Sequence, residues 1–119
     1  RTLYVANSDP ARPIWMAYAL DAQGAVTGKR VFADATDLVN KDTPGLPDGM
    51  AVSAEGRLFA TGPGGVIVFD PDGRRLGRIE TGAAISNCAF GNDGHTLYMT
   101  SHALLARVQV ISLGLEFAR

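Results

Sequence analysis

In the stretch 45-GLPDGMAVSAEG-56 a carboxylate, Asp48, follows a proline and stands just before a short apolar run, Met50-Ala51-Val52. An Asp-Gly pair normally marks the corner of a hairpin. The run behind it, however, reads as a strand from the middle of a sheet. A carboxylate drawn away from water at such a point must protonate or find a partner. A hard divalent cation, which takes oxygen ligands, is a natural one. Gly49 lets backbone or substrate come close, and Pro47 removes a donor where the strand begins. Three other polar side chains fall at comparable points: Asn87 before Cys88-Ala89-Phe90, Asp9 after 3-LYVANS-8, and His102 at the end of 96-TLYMTSH-102. Asn87 either faces a ligand or satisfies a turn; Asp9 either lines a pocket or makes the turn ahead of Pro10. His102 lies at the same rim as Asp48 if the strands alternate in direction.

Other candidates have simpler readings. His95 falls in the opposite turn and is expected to be solvated. The run 62-GPGGV-66 has no helix behind it, so it is a turn and not a phosphate cradle. Arg74, Arg75 and Arg78 protect an outer strand edge. Cys88, in apolar company, reads as a small buried hydrophobe, and a single cysteine excludes an internal disulfide framework or a cysteine-rich metal site. Eleven basic and twelve acidic side chains give a net charge of −1, no footprint for nucleic acid or an anionic membrane. No apolar run approaches the ~20 residues that cross a bilayer.

The elements that must hold these side chains are set by a repeat. The segments 2-TLYVANS-8, 57-RLFATGP-63 and 96-TLYMTSH-102 resemble one another, and their leucines, Leu3, Leu58 and Leu97, are spaced by 55 and then 39 residues. The second interval matches the roughly 40–50-residue period of a propeller blade; the first is lengthened by Pro10–Pro13 and the loop 35–45. After each anchor comes a β-branched or aromatic strand: 14-IWMAYAL-20, 65-GVIVF-69 and 104-LLARVQVISLG-114. Short outer strands follow at 29–33 and 76–81, and inner strands precede at 48–53 and 86–91. Helical periodicity beyond about two turns is absent. The expected fold is therefore all-β: a β-propeller, with about three four-stranded blades over residues 1–34, 46–82 and 85–119. The first blade lacks its inner strand. Trp15, Tyr18, Phe59, Phe69 and Phe90 are expected to pack between blades.

Three blades do not close a ring, and closure is how propellers protect their edges. The chain also opens inside a strand pattern with no initiator Met. Both features read as an excerpt of a longer protein; the alternative is that a second copy supplies the remaining blades.

Leu-Tyr-Val-Ala-Asn-Ser-Asp (3–9), Pro-Asp-Gly-Met-Ala-Val (47–52), Gly-Gly-Val-Ile-Val-Phe-Asp-Pro-Asp-Gly (64–73) and Asn-Cys-Ala-Phe-Gly (87–91), taken in that order, resemble the senescence-marker-protein/gluconolactonase family. The resemblance implies a six-bladed propeller with one divalent cation on its axis: Ca²⁺ first, with Zn²⁺, Mg²⁺ or Mn²⁺ as alternatives. It implies hydrolysis of sugar lactones, with the Pro-Asp-Gly-Met aspartate, here Asp48, as metal ligand and candidate general base. Asn87, Asp9 and His102 are then candidate substrate contacts. The family's other ligands, an early glutamate and an asparagine in an Asn-Gly-Leu strand, have no counterpart here, so this chain alone is expected to be metal-free and inactive. Two further readings remain open: a non-catalytic propeller module that presents loops to a partner, and an ester or phosphotriester hydrolase with the same metal logic. Nothing in these residues separates a cytoplasmic from a periplasmic location.

Overall fold

A computed structural model describes residues 1–118. It contains ten strands in three antiparallel sheets, and the helical pieces among the described residues are single 3₁₀ turns at Thr36–Leu38 and Leu115–Phe117. Strands β1 (Thr2–Asn7), β2 (Ile14–Leu20) and β3 (Val26–Asp34) form the first sheet. The second comprises β4 (Met50–Val52), β5 (Leu58–Gly62), β6 (Gly65–Phe69) and β7 (Arg75–Ile79), and the third β8 (Ile85–Gly91), β9 (Thr96–Ser101) and β10 (Leu104–Gln109). Each sheet runs up and down in chain order. This is the expected all-β propeller architecture, and among the described residues the first sheet starts at β1, the strand equivalent to β5 and β9.

The turns that set these strands are legible residue by residue. Asp21 Oδ1 accepts from the N–H groups of Gln23 and Ala25 at 3.0 and 2.8 Å. Asp70 Oδ1 accepts from Asp72 and Arg74, both at 2.9 Å. These Asx turns close the β2–β3 and β6–β7 hairpins, because an aspartate side chain supplies the acceptor that the tight corner lacks.

Side-chain alternation places the core in two layers. Leu58, Ala60, Ile67 and Phe69 face the first sheet, where they meet Trp15, Ala17 and Phe32. Phe59 and Val66 face the third sheet and meet Ile85, Phe90, Leu97 and Met99. All five residues of β5 are buried because its sheet is covered on both faces. Trp15 and Phe69 pack edge to face at 5.1 Å, as do Phe59 and Phe90 at 5.1 Å. Such pairs add about 0.5–1.5 kcal/mol beyond the area they bury. Tyr18 departs from expectation: it is half-buried on the far face of the first sheet beside Val5 and Met16, because its parity in β2 is opposite to that of Trp15 and Ala17.

Two other expectations are corrected. The stretch 104–114 is not one strand: β10 ends at Gln109, and the chain then crosses to the base of the second sheet. There Ser53 bridges Gly114, Ala54 N–H donates to Leu113 O at 2.7 Å, and Arg57 Nη1 donates to Ser112 Oγ at 3.1 Å. His95 is not simply solvated. It is half-buried with Nδ1 3.0 Å from Ser112 O, while its carbonyl accepts from Val110 N–H at 2.8 Å. The crossing segment needs these partners for its backbone.

Arg75 also does more than decorate an edge. It makes a bidentate pair with Asp37 at 2.6 and 2.8 Å and donates to Asp34 O at 2.7 Å, tying the loop after β3 to β7. The Arg75 guanidinium holds the Asp37 carboxyl below the usual carboxylate range.

Candidate functional site

The entrance to β4 is built from backbone bonds. Asp48 N–H donates to Thr61 O at 3.2 Å, and Thr61 N–H returns a bond to Gly49 O at 3.0 Å. The Thr61 hydroxyl, fully buried, donates to the same Gly49 carbonyl at 2.8 Å. Gly49 N–H then donates to Ser86 O at 2.9 Å, joining the inner strand of the second sheet to that of the third. Pro47 is buried and Asp48 is exposed, so the carboxylate projects from a fixed backbone.

Gly49 is needed for a steric reason. A Cβ there would lie 2.0 Å from Asn87 Oδ1 and 2.8 Å from Asn87 Cα. Only glycine lets the Asn87 side chain lie flat against this backbone. A register shift between Ile85 and Asn87 marks a bulge at Ser86, and it leaves Ser86 and Asn87 both exposed where strict alternation would hide one. Asn87 Oδ1 accepts from Cys88 N–H at 2.9 Å.

Around Asp48 lies a cleft of about 430 Å³. Its walls include Ser8 from the loop after β1, Gly45 and Leu46 ahead of β4, Ser86 at the start of β8, and His102 in the β9–β10 corner. Turns from all three sheets therefore meet here. Of the sequence candidates, Asp48 and His102 share this cleft. Asp9 is one residue beyond the wall, and its Oδ1 accepts from Ala11 N–H at 2.9 Å in an Asx turn. Asn87 lies against Gly49, beside Ser86. Ser86 and Ser8 complete the wall, the first through the bulge that opens β8 and the second through the loop after β1.

The donor set of the cleft is one carboxylate, one imidazole and the hydroxyls of Ser8 and Ser86. Among the described residues no three His, Cys, Asp or Glu side chains converge to hold a metal ion. The oxygens among them suit one side of a hard-cation site, with Asp48 as the anionic one, and do not close such a site by themselves. Because Asp48 is exposed, desolvation does not by itself demand a cation in this chain. Cys88 takes no part: burial pushes its thiol up to about 12, and Sγ donates to Phe59 O at 3.4 Å, inside the core.

Comparison with known proteins places the chain in a family. Over 115 residues, 94% of the chain, it is 39% identical to a gluconolactonase from Zymomonas mobilis, of which it covers 32%. A solved gluconolactonase from Xanthomonas campestris superposes with a TM-score of 0.75 at 34% identity, over 91% of this chain and 33% of that one. A calcium-binding regucalcin from Agrobacterium tumefaciens superposes with a TM-score of 0.72 at 27% identity, over 94% of this chain and 42% of that one. The chain thus spans about a third of the length of the gluconolactonases it matches. The model of the SMP-30/Gluconolactonase/LRE-like region matches residues 1–103, and the chain belongs to that family.

Proposed function

We propose that this chain is part of a metal-dependent hydrolase of sugar lactones, with Asp48 as a ligand to a divalent cation and as the general base. The observation that carries this is the exposed carboxylate on a clamped strand entrance, in a cleft formed by turns of three sheets. The likeness to gluconolactonases supports the substrate class, and the likeness to a calcium-binding regucalcin supports Ca²⁺ as the ion.

A cation bound beside Asp48 would polarise the lactone carbonyl and stabilise the oxyanion that develops there. Asp48 removes a proton from the attacking water, a step worth about 10²–10⁴ in rate. Thr61 orients it by holding the Gly49 carbonyl from a buried position. Asn87, with Oδ1 engaged by Cys88 N–H, keeps its Nδ2 for a sugar hydroxyl. Asp9 and His102 contact substrate from the loops at the same rim. Residues 1–34, 46–82 and 85–119 serve as blade units, the remaining blades come from the rest of the polypeptide, and the isolated chain is inactive.

The test uses the complete polypeptide against sugar lactones and organophosphate triesters, stripped with a chelator and then reloaded. Lactone turnover that disappears with the metal, returns with Ca²⁺ and is abolished by Asp48→Ala is the expected result. Turnover that survives Asp48→Ala refutes the assignment. Activity on the triesters alone would make it a phosphotriesterase, and the absence of any tightly held ion would favour a binding module.

A further inference from the structure

Opening a lactone requires two proton movements, and Asp48 accounts for one. The ring oxygen departs as an alcohol, so it must receive a proton as the acyl C–O bond breaks. The corner between β9 and β10 supplies a group for this. Ser101 pairs with Leu104, so the turn between them is His102-Ala103. In the second sheet the same corner, between the paired residues Gly62 and Gly65, is Pro63-Gly64, with Gly64 in the left-handed region at φ 87°. A tight hairpin asks only for glycine, asparagine or aspartate at its left-handed position. Here His102 holds a left-handed backbone, φ 53°, with a full imidazole attached. Histidine tolerates that region better than most residues, but the turn gains nothing from the ring.

The corner is also anchored. Ser101 is fully buried, and its hydroxyl lies 2.5 Å from Thr81 Oγ1, in the connection between the second and third sheets. The corner is therefore a fixed base, and His102 forms part of the wall of the cleft that Asp48 lines.

We propose that His102 is the general acid that protonates the leaving ring oxygen, an assignment that rests on the lactone-hydrolase reading above. Water adds to the carbonyl carbon and loses a proton to the Asp48 carboxylate. The tetrahedral species then collapses: the acyl C–O bond breaks, and its electron pair takes the proton of the His102 imidazolium. The product is the open hydroxy acid. Asp48 returns its proton to solvent and His102 regains one, so one water is consumed and both groups are reset.

The experiment compares wild type, His102→Asn, His102→Gln and Asp48→Asn in the complete, metal-loaded polypeptide on two substrates. One is a sugar δ-lactone, with an alkoxide leaving group; the other is dihydrocoumarin, whose phenoxide leaves readily without a proton. The expected result is that both His102 variants lose about 10²-fold or more in kcat on the sugar lactone and little on the aryl lactone. Asparagine accepts the left-handed backbone, so His102→Asn keeps the corner and separates chemistry from folding. Equal losses on the two substrates, or no loss on the sugar lactone, overturn the proposal. Asp48→Asn reads the underlying assignment separately: it should depress both substrates alike, and full activity in that variant removes the base while leaving the His102 selectivity ratio interpretable.

Discussion

The turns of these sheets use aspartate in two different ways. Asp21, Asp70 and Asp93 at one end, and Asp9 beside the cleft, spend their carboxylates on backbone N–H groups of their own turns, at 2.8–3.0 Å. At the other end Asp48 is held through its main chain: its own N–H and the Gly49 carbonyl are bonded to Thr61, and the carboxylate is left to the cleft. The same side chain is committed where it satisfies the fold and stays available for chemistry where the fold satisfies itself without it. Spending a carboxylate on a turn stabilises the turn; keeping it free costs that stabilisation and leaves a ligand or a base.

The contrast is sharpest in paired substitutions. Asp48→Asn in the complete polypeptide should lower lactone turnover by about 10²–10⁴ with almost no change in melting temperature. Asp70→Asn should do the reverse, lowering the melting temperature while turnover stays near wild type; steady-state kinetics beside thermal unfolding reads both. If the two substitutions act alike, the division between the two uses of aspartate is wrong.

Next in size is the core that holds the ends apart. Phe69→Ala removes a fully buried ring that packs on both Trp15 and Phe32, and denaturant unfolding should show a loss of about 3–5 kcal/mol. Smaller changes test the clamp itself. Thr61→Val deletes the hydroxyl bonded to Gly49 O and should cost about 1–2 kcal/mol, with kcat falling more than KM rises if the clamp orients Asp48. Gly49→Ala should displace Asn87 and lower turnover, because the added methyl overlaps its side chain.

The smallest effect is electrostatic and belongs to the outer edge. Hydrogen bonding from Arg75 lowers the Asp37 carboxyl, and hydrogen bonding from Thr36 lowers that of Asp34. A carboxylate depressed in the folded state contributes stability above its unfolded value, and that contribution is lost as pH falls through the folded one. The melting temperature should therefore decline as pH drops below about 4, and Arg75→Gln should flatten that decline. Both groups are solvent-exposed, so high salt should mute the difference.

Most of this architecture is legible in the residues, because it rests on local rules. Asp-x-x-Gly at 21–24 and 70–73 fixes two hairpins, and the spacing of Leu58 and Leu97 fixes a blade period. What sequence order hides is whatever depends on contact across sheets. The crossing of residues 110–114 to Ser53 and Arg57 follows from bonds to a distant turn and not from strand propensity, which is why 104–114 reads as one strand. His95 reads as solvated for the same reason. At the site, Asp48 stands out by its place before an apolar run, and its company does not. Ser86 joins it through a bulge that alternation does not foretell, and Asn87 lies against Gly49 because of a missing Cβ.

The most direct test of the central claim is a crystal structure of the complete polypeptide soaked with a divalent cation and recorded at a wavelength where that ion scatters anomalously. The expected result is a single strong anomalous peak against the Asp48 carboxylate, facing Ser86 and His102. A peak elsewhere with Asp48 turned to solvent, or no peak at saturating metal, would contradict it.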